Sequence, residues 1–231
     1  MTERFLNNWL EAYLDFTSEQ ESPEKLHLWT AFSILSTALK RQCWMNRGTY
    51  IIYPNIYILI IGRSAELRKS TATRIGFKIL QDAVPDSYVV HDKVTPEGLV
   101  REHMNRVSRG ERDGKAVTKL ESHTLIYADE LANLFGYDKI TASRMAMLLT
   151  RIYDCPDQYW DTTSGKGKVE FNFLYPNVLA CTDPINLKVL PSDAIAGLLG
   201  RLLFVSSGES RKPIVWSEYS IAGILLRGKI V

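Results

Sequence analysis

Gly62 closes the run Tyr57-Ile58-Leu59-Ile60-Ile61 and is followed at a short distance by Lys69-Ser70-Thr71. Those residue types at that spacing suit one chemistry, the binding of a phosphate chain. A helix opening near Lys69 presents free N–H groups and a partial positive charge to an anion. Lys69 can reach the β and γ phosphates of a nucleotide, and the Ser70 hydroxyl can ligate Mg²⁺. Gly62, Arg68 and Thr71 complete the candidate cradle. The usual pattern is G-x4-G-K-[ST]. Here the loop is one residue longer, and Arg68 stands where a glycine would allow close backbone approach, so the cradle is expected to close differently. The plain alternative is a strand, a turn and a helix with a surface lysine.

A second constellation lies at Thr124-Leu125-Ile126-Tyr127-Ala128-Asp129-Glu130, an apolar strand ending in two acids. Beside a phosphate loop, the first acid holds the Mg²⁺ shell and the second polarises the attacking water. Asp129 and Glu130 take those roles, with Ser70 and Asp129 as the metal-side pair. Taken alone, adjacent acids after a strand also suit a helix N-terminus. Cys181-Thr182-Asp183-Pro184 ends a third apolar run, and Thr182 is placed to orient water there; a Thr-Asp-Pro turn is the alternative. Arg201, before the last apolar run, reads either as a surface residue or as an arginine reaching a neighbouring subunit's γ-phosphate. Lys166 and Lys168 flank Gly167 on a Gly-rich tip. On residue types alone they read as a solvated turn.

These groups need elements to carry them. Continuous apolar runs at 57–61, 124–128, 178–181 and 202–205, with a shorter one at 87–90, fit strands buried on both faces of a parallel sheet. Helices are expected over 4–17, from Pro23 to about 39 with Ser22 as cap, from about 70 to 80, from Pro96 to about 107, at 130–135, 143–153 and 194–199. Residues 108–118 read as a solvated loop or hairpin tip, and the alternating stretch around 164–167 as a hairpin. Strands alternating with helices give an α/β fold with a mostly parallel sheet. The expected division is an N-terminal helical segment, 1–50, packed on a core, 51–215, with a short tail, 216–231.

The chain has 231 residues, 45% hydrophobic and 23% charged, with 28 Lys+Arg against 26 Asp+Glu. That excludes disorder of the whole chain, and a net charge of +2 leaves nucleic-acid binding to local patches. Three scattered cysteines and four histidines show no zinc spacing. Apolar runs are too short for a membrane helix and the first residues lack a signal-peptide core. The expectation is a cytoplasmic protein without a membrane partner.

The order of these motifs carries a resemblance. The stretches ESPEKLHLWTAFSILSTALKRQCW, IYPNIYILIIGRSAELRKSTA, DKVTPEGLV, LIYADELANLF, YPNVLACTDPINL and GLLGRLLFV resemble the AAA+-type P-loop ATPases. More narrowly, they resemble an uncharacterised phage and mobile-element family related to primase-helicases. The RKST form of the loop fits that family. The resemblance implies a P-loop NTPase (AAA+/RecA-like) fold with a phosphate loop at Gly62 to Ser70, an acidic pair at Asp129 and Glu130, a sensor at Thr182 and an arginine finger at Arg201. It also implies ATP and Mg²⁺ as cofactors, a homo-oligomer such as a ring, and single-stranded or forked DNA as partner, in a bacterial host cell or phage-encoded.

Three functions compete. The first is an ATP-driven DNA helicase or translocase, in which the resemblance to AAA+-type helicases implies that Lys166 and Lys168 meet DNA phosphates. The second is a non-motor nucleotide switch, a loader or regulatory subunit. The third is a small-molecule phosphotransferase, for which no lid or acceptor-pocket pattern is present. Stimulation of ATP hydrolysis by DNA separates the first two.

Overall fold

A computed structural model describes residues 6–63, 66–91, 94–104, 107–112, 115–120, 122–136, 138–163, 167–189 and 191–208. The tail expected at 216–231 lies outside them.

Helices α1 (Trp9–Phe16) and α2 (Glu24–Leu39) open the chain, and a 3-10 turn follows at Lys40–Gln42. A small hairpin, β1 (Met45–Asn46) and β2 (Ile51–Ile52), leads into β3 (Tyr57–Ile61), α3 (Lys69–Ala83), β4 (Val89–His91) and α4 (Pro96–Met104). Hairpin β5 (Val107–Arg112) and β6 (Lys115–Leu120) precedes β7 (His123–Ala128), α5 (Leu131–Phe135) and α6 (Lys139–Ile152). Hairpin β8 (Gln158–Thr163) and β9 (Gly167–Asn172) precedes β10 (Tyr175–Thr182), α7 (Pro184–Val189), α8 (Ser192–Leu199) and β11 (Leu202–Ser206).

The centre is a five-stranded sheet in the order β11-β3-β10-β7-β4, parallel at every pairing. Parallel strands covered on both faces read as continuous apolar runs, and alternate residues here feed two separate cores. Tyr57, Leu59, Ile126, Ala128, Val178 and Ala180 pack with α4, α5, α6 and α8. Ile58, Ile60, Leu125, Tyr127, Leu179 and Cys181 pack with α1, α2 and α3. The protein is thus a mixed α/β fold with helices on both faces, as the strand and helix pattern predicts.

Helices α1 and α2 form part of the second core, with Tyr13, Leu26, Ala31 and Ile34 buried against α3 and the sheet. The close approach of α2 to α3 depends on Gly76, where a Cβ would meet Thr30 Cγ2 at 2.4 Å. At the far end of α2, the Ser36 hydroxyl lies 2.7 Å from Pro54 O and 2.6 Å from Asn177 Oδ1. That tie fixes α2 to the beginning of β10.

Strand β10 is longer than the run at 178–181 suggests. Pro176 disfavours a central strand because it lacks an N–H. Pairing of β10 with β3 begins at Val178 opposite Tyr57, so the proline sits before β3 joins. Hairpin β5–β6 fills the stretch read as a loop or hairpin tip, and β8–β9 is the expected hairpin.

Candidate functional site

The site sits where β3, β10 and β7 end. In an open parallel sheet, ligands bind beyond the carboxyl ends of the strands, where the chain order switches direction. β10 lies between β3 and β7 although it follows both in sequence. Thr182 pairs with Ile61 and Ala180 with Ala128, so Gly62, Asp129 and Thr182 leave the sheet side by side.

The loop after β3 folds back on its first residue. A Cβ at Gly62 would stand 2.1 Å from Leu67 Cδ1, and Leu67 is buried there. Glycine therefore allows the loop to close, and the Lys69 ammonium donates to the Gly62 carbonyl across the mouth. Gly62 N in turn donates to Thr182 O at 3.1 Å.

Arg68 precedes α3 with φ 47° and ψ 40°, the left-handed region. A glycine adopts that conformation freely, whereas a residue with a Cβ is disfavoured by roughly 1–2 kcal/mol. The turn before α3 thus has the shape glycine favours, with an arginine held in it. The Arg68 carbonyl accepts Thr71 N at 3.0 Å, Ala72 N at 3.3 Å and the Ser22 hydroxyl at 2.9 Å. Arg68 Nε lies 2.8 Å from Glu21 Oε2. The side chain expected to contact phosphate is thus engaged by Glu21.

The reading of Ser22 is corrected by the structure. A Ser-Pro-Glu sequence predicts a helix cap with Pro23 as the first helical residue. In the structure Pro23 holds the capping position without a side-chain cap, and the buried Ser22 hydroxyl is committed to Arg68. Sequence reasoning missed Glu21 and Ser22 as loop partners, because their partner lies 46 residues from Ser22.

The two acids follow the end of β7 and engage different neighbours. Tyr127, on the face toward α3, donates its hydroxyl to Asp129 Oδ1. The same hydroxyl lies 3.0 Å from Thr73 Oγ1 in the first turns of α3. Burial, then the bond to Asp129, pushes the Tyr127 phenol well above its ordinary pKa, so it remains a protonated donor. Asp129 is thereby oriented beside the helix that carries Ser70. Tyr127 was missed, although its place two residues before Asp129 on one strand face was a usable signal.

Glu130 precedes α5 but does not cap it with its side chain. Its Oε1 accepts the Thr182 hydroxyl at 2.7 Å. Glu130 thus stands at the start of α5, as the helix-start alternative has it, while its side chain is engaged by Thr182. Thr182, fully buried, contacts the loop through its backbone and the acid through its side chain. The neighbouring Cys181 thiol is pushed up to about 12 by burial, with smaller opposing influences from Lys69 and from Asp129 and Glu130.

Ser70 and Asp129 offer a hydroxyl and a carboxylate, hard oxygen donors of the kind Mg²⁺ takes alongside phosphate and water. Among the described residues no group of three or more His, Cys, Asp or Glu could hold a metal ion.

Arg201 is not brought to this edge. Leu202 pairs with Tyr57, the first residue of β3, so Arg201 lies at the other end of the sheet from Gly62. Its guanidinium donates to Gly197 O at 2.9 Å and sits 5.6 Å from the Tyr153 ring centre. Lys168 lies in β9, and Lys166 falls outside the described residues.

A cavity of about 630 Å³ adjoins the loop on its β11 side, lined by Gly62, Leu67, Pro184 and Ser206 among others. Another, of about 650 Å³, lies before β3 around Arg41, Tyr53 and Tyr153. Its slightly larger volume does not make it the reaction site, since the loop and acids are elsewhere.

No protein-family model matches the chain, and no curated protein matches it. Among solved structures it is similar to a candidate ATPase from Cytophaga hutchinsonii, at 14% identity and a TM-score of 0.41. The match covers 88% of this chain and 53% of that one, so the chain spans about half the length of that protein. A likeness at this level does not assign an activity. Among the described residues no helix is long and apolar enough to cross a membrane.

Proposed function

We propose that the chain is a P-loop ATPase, binding ATP with Mg²⁺ and hydrolysing it. One observation carries the reading: Thr182 links the loop glycine and Glu130 at the carboxyl edge of one parallel sheet. In this reading the N–H groups opening α3 and the Lys69 ammonium bind the phosphates. Lys69 leaves the Gly62 carbonyl when a phosphate oxygen arrives. Ser70 and Asp129 hold Mg²⁺, which supplies charge neutralisation at the phosphates. Glu130, held by Thr182, accepts a proton from the attacking water. The cavity beside the loop takes the nucleoside end, at a volume within the range of small-molecule sites.

The finer part of the proposal is a DNA helicase or translocase acting in phage or mobile-element replication. Its support is the resemblance and the position of β8–β9, which emerges between the acidic strand and β10 with Lys168 in it. Arg201, remote from the loop of its own chain, is proposed to complete a neighbouring subunit's site in a homo-oligomer. The competing switch reading predicts nucleotide binding without DNA stimulation.

The test is the ATPase rate with and without single-stranded DNA, on the wild type, Lys69→Ala and Glu130→Gln. Lys69→Ala should lose nucleotide binding, while Glu130→Gln binds and turns over at least ~100-fold more slowly. Normal hydrolysis by both variants sinks the site. Mixing Arg201→Ala with Lys69→Ala subunits tests sharing: recovered activity supports it, and full activity of a monomeric Arg201→Ala protein removes it. An active finger contributes about 10³-fold or more.

A further inference from the structure

We propose that Glu21 and Ser22 are positioning residues for the phosphate loop, holding Arg68 in the left-handed turn that a glycine adopts unaided. The consequence for nucleotide binding rests on the ATPase reading, whereas the latch itself rests on geometry. The direction in which Lys69 and Ser70 present their N–H groups follows from the backbone angles of Arg68. A residue with a Cβ leaves that conformation unless its surroundings hold it. Two contacts do so. The buried Ser22 hydroxyl reaches the Arg68 carbonyl at 2.9 Å, the same oxygen that starts α3 by accepting Thr71 N and Ala72 N. Glu21 takes the guanidinium at 2.8 Å, drawing the side chain to the turn before α2.

The latch is itself fixed. Its residues precede α2, which packs against α3 through the close approach at Gly76. The N-terminal segment thus reaches the loop from outside the strand–loop–helix unit. The arginine in the glycine position and the Glu-Ser pair are one device.

The test is a double-mutant cycle with Ser22→Ala and Arg68→Gly, read in two ways. Calorimetry gives the Kd for MgATP, with adenosine as the control lacking phosphates. Amide exchange at Thr71 and Ala72 in nucleotide-free protein reports whether the Arg68 carbonyl is in place. Ser22→Ala should weaken MgATP about five- to tenfold, the size of one hydrogen bond's net contribution, and leave adenosine unaffected. It should accelerate exchange at both amides by a similar factor. In the Arg68→Gly background both effects should shrink below about twofold, because glycine needs no latch. Equal effects in the two backgrounds, or no effect with Arg68 present, overturn the proposal. If Ser22→Ala does not fold, Glu21→Gln replaces it, with an expected two- to threefold effect suited to a part-exposed ion pair and the same dependence on background. A wild type that does not bind MgATP refutes the ATPase reading, while the exchange cycle still decides the latch.

Discussion

The Thr182 hydroxyl donates to Glu130 Oε1 at 2.7 Å across two neighbouring strands, while the Thr182 carbonyl accepts from Gly62 at 3.1 Å. One buried residue therefore fixes the carboxylate that would activate water relative to the loop that would hold the phosphates. Neither bond is local in sequence. Both exist because β10 is inserted between β3 and β7.

Thr182→Val keeps the shape of the side chain and removes the donor. Glu130 then loses its partner and its fixed orientation. Hydrolysis should fall about 10- to 100-fold, the scale of a misplaced reacting group, with the KM for ATP within about twofold of wild type. Steady-state kinetics checks this. A large rise in KM at unchanged kcat would make Thr182 a binding residue instead.

Tyr127→Phe removes the hydroxyl that orients Asp129 but keeps the ring, which packs edge-on to Phe77 at 4.2 Å. The Mg²⁺ concentration needed for half-maximal activity should rise roughly tenfold, as for loss of a residue that orients a metal ligand. Excess Mg²⁺ should restore most of the rate. A magnesium titration of both proteins decides the matter, and an unchanged midpoint would dissociate Tyr127 from the metal side of the site.

Gly76→Ala should destabilise the fold although alanine is the better helix former. The added methyl meets Thr30 at 2.4 Å, and Thr30 is buried and stiff at χ1. Overpacking of about 1–3 kcal/mol outweighs a propensity gain of about 1 kcal/mol. Urea unfolding measures the balance. A variant as stable as wild type would mean α2 and α3 separate without cost.

The cysteines give a pH test. Burial pushes Cys155 and Cys181 up to about 12, while Cys43 is exposed. A thiol reagent at pH 8 should label Cys43 rapidly in the native protein and all three after unfolding. The linkage has a definite sign. Thiols raised in the folded state contribute stability that is complete below their unfolded pKa, near 9, and is lost as pH rises toward 12. Unfolding free energy should therefore decline across that window. Rapid labelling of three thiols at neutral pH would contradict the buried environments.

The strands that bear chemistry were legible because burial on both faces makes them continuous apolar runs, and because Gly62 and Asp129 punctuate two of them. The loop lysine and the acid pair followed from those ends. Strand order was not legible, since pairing partners are chosen by packing across the whole sheet. Ser22 was misread for a related reason. A serine before a proline has a local use as a cap, and a contact 46 residues away leaves no local trace. Pro176 hid the start of β10 by breaking a rule that applies fully where strands pair on both sides. Arg68 drew notice as a missing glycine, but sequence offered no means of finding what replaced it.

The latch also bears on the order in which the site can assemble. Ribosomal synthesis runs from the N-terminus, so Glu21 and Ser22 emerge before the loop they hold, and α2 is available when α3 follows. The Arg68 turn thus draws its named partners from residues 21 to 72, a short span with low closure cost. Glu130 waits 52 residues for Thr182, and Ser36 waits 141 for Asn177. The chain can shape the turn at Arg68 early, whereas the strand that joins the loop to the acid arrives among the last. On the ATPase proposal, competence to hold phosphate and competence to cleave it would be separated in the life of each new molecule.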